Sequence, residues 1–198
     1  MVNNISDVIV LIRDPRAIAV SRLELESIRP GQDRMDEEQK HKYLLSSARE
    51  CCDKFGDIVT FFKQQPRDGA LYRNVSARLS IVRFEDIAFT PIEIARKVYA
   101  RLDLNMPESV SQWLSNATRG ESTADGFMGK YLTKRDSRAV TDKWRKKLTF
   151  DTVTHMQDMC PETYDYLGYT RVTSETQLLA ESEGVVSTPH SSLDLLIS

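Results

Sequence analysis

Long apolar runs are missing from this 198-residue chain. The longest clean ones, such as Val8–Ile12, are far too short to span a bilayer. Residues 1 to 7 have no basic start, apolar centre or cleavage site, so they do not read as a secretory signal. Cysteine is scarce. Cys51, Cys52 and Cys160 are an odd, low count, which excludes a disulfide scaffold but leaves room for one bridge. Their spacing fits no zinc motif, and His155 near Cys160 does not make one, so no metal is expected. A strong charge of one sign is missing too. The formal net charge of −2 gives no reason to expect nucleic acid or an anionic membrane as a partner, so any anion site must be local. No G-x-x-x-x-G-K-[ST] occurs, which argues against a P-loop kinase or NTPase. No G-x-S-x-G elbow occurs, which argues against that hydrolase class. There is no internal repeat.

What is present suits one domain with a core of ordinary size. The most informative stretch runs from Asp7 to Arg22. Val8 to Ile12 is a continuous β-branched and apolar run, as expected for a strand of a parallel sheet covered on both faces. Asp14 can cap a helix, and Pro15 suits its first position, where the missing N–H costs nothing. Arg13 therefore stands at the carboxyl end of a strand, where ligands bind in open α/β sheets. Ser21 lies about two turns into the helix. A strand-end arginine, N–H groups at a helix start and a nearby hydroxyl together make an anion site. The bland alternative is a strand–helix turn whose Arg and Asp pair on the surface.

Residues 23 to 42 are polar, with Pro30-Gly31 as a turn signal and a solvated helix or loop over Arg34 to Lys42. From Tyr43 to about Gln65 the spacing predicts a helix whose stripe is Leu44, Leu45, Ala48, Cys51, Cys52, Phe55, Ile58, Val59 and Phe62. Pro66 to Asn74 reads as a loop, and Leu79–Phe84 as a second buried strand. Pro91 opens a helix capped by Thr90, with Ile92, Ala95, Val98, Tyr99 and Leu102 as its apolar face. Strand–helix alternation of this kind predicts a parallel sheet. A short helix surrounds Trp113, a loop covers 121 to 135, and helices carry Trp144 and residues 151 to 160. The Ser-, Thr- and Glu-rich stretch 171–198 reads as a disordered tail behind a domain over 1–170.

Arg13-Asp14-Pro15-Arg16-Ala17, with Ser21 eight residues after Arg13, resembles the 3′-phosphate-binding segment of sulfotransferases that use 3′-phosphoadenosine 5′-phosphosulfate (PAPS). The Asp-Pro-Arg-Ala form is similar to that of carbohydrate 6-O-sulfotransferases acting on galactose, N-acetylglucosamine or N-acetylgalactosamine. Val82-Arg83-Phe84-Glu85-Asp86 up to Pro91 resembles a second landmark, usually V-R-Y-E-D-L-x-x-x-P, with Phe84 in place of tyrosine. Glu85 and Asp86 read as structural or capping groups rather than an acid–base pair, since neighbours on an extended chain point apart. Thr118-Arg119-Gly120, Tyr131 to Ser137 and Trp144-Arg145 resemble a third. By that resemblance Arg135, nine residues before Trp144, is a second 3′-phosphate contact, with Lys134 and Arg138 nearby and Asp136 where asparagine is frequent. Trp144 reads as core. The likeness runs from Asp7 to Tyr169.

The resemblance implies an α/β fold of the sulfotransferase type, a P-loop-NTPase-like three-layer arrangement around a parallel sheet. It implies PAPS as donor, a keratan/chondroitin-type or N-/O-glycan acceptor, no metal, and a Golgi setting with a membrane anchor. A homodimer is compatible with it. The family's 5′-phosphosulfate loop, an R-S-G-S-S-F-like run, has no counterpart before Asp7, so the expectation is an N-terminally truncated domain holding Arg13, Ser21 and Arg135 of the 3′-phosphate half. No catalytic base is assigned, because His41, His155 and His190 fall in no family motif. The alternative is a non-catalytic 3′-phosphonucleotide-binding module. The Asn74-Val75-Ser76 and Asn116-Ala117-Thr118 sequons suit a lumenal protein, in which Cys160 would bridge to Cys51 or Cys52.

Overall fold

The computed structural model describes residues 7–31, 34–64, 78–118 and 137–180. The expected loops at 66–74 and 121–135, Arg135 itself, Lys134, Asp136, Asn74 and residues 181–198 lie outside the described residues.

The first strand, β1 (Asp7–Ile12), runs into α1 (Pro15–Ser27) through the turn the sequence predicts. Asp14 caps α1, its carboxylate accepting from the Arg16 N–H at 2.9 Å, and Pro15 takes the first helical position. Gly31 follows with φ +80°, the left-handed turn that Pro30-Gly31 signals. Helix α2 (Glu37–Gln64) starts earlier than its apolar stripe. Asp36 and Gln39 cap it reciprocally: the Gln39 N–H donates to Asp36 at 2.7 Å, and the Asp36 N–H donates to Gln39 at 2.9 Å. Its solvated first turns therefore need no buried face.

Strand β2 (Arg78–Arg83) pairs parallel with β1, Val8 opposite Leu79 and Ile12 opposite Arg83. It continues into α3 (Phe84–Phe89), α4 (Pro91–Arg101) and α5 (Glu108–Ala117). Thr90 stands at the start of α4, but its hydroxyl donates back to the Asp86 carbonyl at 3.1 Å instead of capping. The deepest residue of α4 is Ile94, which the expected face omitted. Trp144 sits not on an α-helix but on the second of two 3₁₀ turns, Arg138–Val140 and Lys143–Lys146. Then come α6 (Phe150–Asp158), α7 (Pro161–Tyr166) and α8 (Glu175–Leu179). The fold thus continues past residue 170. Val172 and Leu178 are buried and Ser174 caps α8, so two apolar anchors outweigh the polar composition over 171–180.

One face of the sheet, with Val10, Ile12 and Ile81, packs into the main core against α1, α2, α6 and α7. The other face is covered over β2, where Val82 meets Ile87, Ile94 and Val98. Over β1 it is open: Ile9 is 40% and Leu11 60% exposed. The expectation of a strand buried on both faces fails there, because α4 packs over β2 and leaves β1's outer face uncovered. A disulfide joins Cys52 on α2 to Cys160 at the head of α7, leaving Cys51 as a buried thiol whose pKa is raised by burial.

Candidate functional site

Both parallel strands end at one place, β1 at Ile12 and β2 at Arg83. The next residues, Arg13 and Phe84, face the same cavity, of about 630 Å³. Helix α1 contributes Ala17, Val20, Ser21, Glu24 and Leu25, one side of the helix at three- and four-residue steps. Further wall comes from Ile87 on α3, from α5 with Trp113, Leu114 and Ala117 and its C-cap Thr118, and from Ser137, Val140, Lys143 and Trp144. Arg13 and Ser21, read in the sequence as parts of one anion site, therefore line a single hollow at the carboxyl ends of parallel strands, as ligand sites do in such sheets.

Arg13 is half-buried and positioned from two sides. Its guanidinium donates to the Val140 carbonyl at 3.1 Å and lies 4.6 Å from the centre of the Phe84 ring. A phenyl ring at position 84 thus supplies a cation–π seat where a tyrosine is usual. The bland alternative, an Arg–Asp pair on the surface, does not hold, because Asp14 is fully buried and pairs with buried Arg16. The helix start also contributes less than expected, because the N–H groups of Arg16 and Ile18 already bond to Asp14. Positive charge comes instead from side chains. Lys143 and Lys147 both pair with Glu24, Lys143 at 2.8 Å, so this corner keeps a net positive charge around one carboxylate.

Sequence reasoning missed Lys143 and Glu24, and gave no site role to Ser137, the last residue of the Tyr131 to Ser137 segment. Arg138, considered for phosphate, instead donates to the Phe89 carbonyl at 2.8 Å and does not line the cavity. Neither described histidine lines it: His41 stands 3.5 Å from the Thr152 hydroxyl, and His155 is exposed. Among the described residues no group of side chains could hold a metal ion.

Behind the cavity wall lies a buried polar network. The Arg16 guanidinium is gripped by Asp14 at 2.7 Å, donates to Gln157 at 2.7 Å and to the Thr170 carbonyl at 3.1 Å, and lies 4.1 Å from the centre of the Trp144 ring. Burial pulls its pKa down, but the Asp14 carboxylate outweighs that and the net direction is up. Gln157 exchanges two hydrogen bonds with Val172, tying α6 to the segment beyond Tyr169. Glu85 accepts from the Asp14 N–H at 3.1 Å and from the Tyr169 hydroxyl at 3.1 Å. Asp86 pairs with buried Arg83 at 2.8 Å. Both carboxylates are therefore structural, although they stand on α3 and not on an extended chain as expected. Trp144 is wholly buried, the core residue its pattern implied.

Burial, with the Asp14 charge beside it, pushes the Glu85 carboxyl up to about 7. A raised folded pKa gives stability that is complete below the unfolded value near 4.5 and is lost as pH rises through about 7. Relative to Glu85→Gln, the wild type should lose about 2–3 kcal/mol of unfolding free energy between pH 5 and 8. Urea titrations of both proteins across that range check this. Parallel pH profiles would show that Glu85 ionises freely.

No family model matches the chain, and no solved structure matches it significantly. Curated proteins do. Carbohydrate sulfotransferase 1 of Danio rerio is 33% identical over 174 residues, covering 86% of this chain and 40% of its own length. Carbohydrate sulfotransferase 1 of Homo sapiens is 30% identical over 186 residues, 90% of this chain and 42% of its own. Carbohydrate sulfotransferase 4 of Mus musculus is 28% identical over 192 residues, 92% and 47% respectively. The chain spans less than half the length of these relatives.

Proposed function

The chain belongs to the carbohydrate sulfotransferase family, and from that premise we propose that its cavity is the 3′-phosphate half of a PAPS site. The reaction is sulfuryl transfer to the 6-hydroxyl of a galactose, N-acetylglucosamine or N-acetylgalactosamine residue of a glycan. The observation that carries this reading is the joint lining of one strand-end cavity by Arg13 and Ser21. The residues fit a phosphate. Arg13 brings charge-assisted donors held by Val140 and Phe84, Ser21 a hydroxyl, and Lys143 further positive charge. Arg135 is proposed as the second arginine on the same phosphate.

In this reaction the acceptor hydroxyl oxygen attacks sulfur in line, and the bond from sulfur to the bridging phosphate oxygen breaks. The sugar gains a sulfate ester, PAP (adenosine 3′,5′-bisphosphate) leaves, and the hydroxyl proton passes to a base. The part played by Arg13 and Ser21 is positioning. By fixing the 3′-phosphate they hold the donor so that the reacting atoms keep their alignment. A Golgi lumen is the proposed setting. The Cys52–Cys160 bridge supports an oxidising compartment, and Asn116 of the sequon is exposed on α5. Among the described residues no helix is long and apolar enough to cross a membrane.

The test is transfer of labelled sulfate from PAPS to a panel of galactose- and N-acetylhexosamine-terminated glycans, each paired with its 6-deoxy analogue. Label in the glycans with a free 6-hydroxyl, and none in the 6-deoxy partners, is the expected result. PAP binding with no transfer to any acceptor would point instead to a non-catalytic phosphonucleotide-binding module. Label on secondary hydroxyls would refute the 6-O assignment.

A further inference from the structure

One carboxylate stands in the wall of a cavity whose other charged side chains are cations. Glu24 lies one turn after Ser21 on the lining side of α1 and is only 18% exposed. Lys143 straddles it, with Nζ 2.8 Å from Oε1 and 3.0 Å from Oε2. Lys147 pairs with the same Oε1. The two lysines are not equivalent: Lys143 lines the cavity and Lys147 does not. Lys143 also follows Val140 by three residues, and the Val140 carbonyl holds Arg13. The lysine best placed to meet an anion beside Arg13 is thus held by Glu24. A surface tether between α1 and the 3₁₀ turn would account for one such pair. It does not account for a carboxylate set into the wall of an anion site between two lysines.

We propose that Glu24 is an internal counter-anion: it holds Lys143 until a phosphate beside Arg13 displaces it, and Lys147 then keeps the Glu24 charge compensated. The inference rests on the phosphonucleotide reading and adds to it the exchange of partners that tunes the affinity. A lysine ammonium is a point charge on a flexible four-carbon stem, so it can turn from one acceptor to another without moving the backbone. The phosphate is the stronger attractor, with about two negative charges and three acceptor oxygens at neutral pH against the single charge of a carboxylate. Turning Lys143 away would be costly if it left a largely buried carboxylate unpaired. Lys147 removes that cost, because it stands outside the cavity and stays on Glu24. Glu24 therefore competes with the ligand for Lys143 and lowers the affinity of the site.

The signature is a gain of affinity on removing a charge from the wall. Calorimetry with PAP should show Glu24→Gln binding about two- to five-fold tighter than the wild type, the scale of one partly exposed ion pair. Its thermal midpoint should fall at the same time, since the pairs with both lysines are lost. Lys147→Gln should weaken PAP by a similar factor, although Lys147 stands outside the cavity, and adding Glu24→Gln to it should restore the affinity. In a Lys143→Gln background, Glu24→Gln should gain nothing. A Glu24→Gln protein that binds PAP no tighter than the wild type would refute the exchange and leave Glu24 as a tether between α1 and the 3₁₀ turn. A gain that persists without Lys143 would refute it as well, because Glu24 would then act by repulsion of the phosphate alone. In both of these cases Arg13-dependent binding of PAP keeps the phosphonucleotide reading in place. If the folded wild type binds no PAP, that reading falls, and this inference with it.

Discussion

Arg13→Ala should remove PAP binding while leaving the chain folded. Arg13 is the one arginine at the strand end that lines the cavity among the described residues. Its contact with phosphate would be charge-assisted and bidentate, the strongest class of hydrogen bond available there. Truncating one partner of such a pair costs about 2–5 kcal/mol, roughly 30- to 4,000-fold in affinity. The effect on folding should be far smaller. Among the described residues the side chain bonds the Val140 carbonyl and lies against the Phe84 ring, contacts together worth about 1–2 kcal/mol at a half-buried position. Arg13→Lys should fall between the two, since it keeps the charge and loses the planar fork. Calorimetry for affinity and thermal melts for stability separate these effects. A protein that loses its fold together with its ligand would assign Arg13 a structural role instead.

Asp14→Ala should do the reverse, collapsing stability through a residue that does not line the cavity. Asp14 and Arg16 are both wholly buried, and their pair is the centre of the network behind the wall. Removing the carboxylate leaves a guanidinium in the core with, among the described residues, only Gln157 and the Thr170 carbonyl as hydrogen-bond acceptors. Breaking a buried pair in this way costs about 3–5 kcal/mol, a large part of the roughly 5–15 kcal/mol that holds a domain together. The lost helix cap adds about 1 kcal/mol. Removing both charges is a different matter. Asp14→Leu with Arg16→Met should cost less than Asp14→Ala alone, because no unpaired ion remains. Urea midpoints for the two proteins decide it. A double variant weaker than the single one would mean that Arg16 acts through packing on Trp144 rather than through its charge.

These two residues also mark what the sequence revealed and what it concealed. Arg13 and the turn after β1 were readable because the signals are local: a β-branched run, a capping aspartate, a proline at the first helical position. The α2 stripe was readable for the same reason, its period being intrinsic to the helix. The network around Arg16 was not, since its partners lie far along the chain: Glu85 is 71 residues from Asp14, and Gln157 is 141 from Arg16. Lys143 and Glu24 meet across 119 residues, and neither stands in a motif that would bring them together. Trp113 stood in the sequence only as the centre of a short helix, and its exposure is visible only in the structure. Composition misled at the end of the chain, where Val172 and Leu178 anchor a stretch that reads as polar. The exposed Leu11 shows the opposite error: an apolar run indicates a strand but not which of its faces will be covered.

The central claim is that this chain carries a 3′-phosphate site. Calorimetric titration of PAP into the 198-residue protein, with 5′-AMP as the control, tests it most directly. The two ligands share base, ribose and 5′-phosphate and differ only in the 3′-phosphate. Binding of PAP with no detectable binding of 5′-AMP is the expected result. Equal affinity for the two, or no heat from PAP with a protein that melts cooperatively, would contradict it.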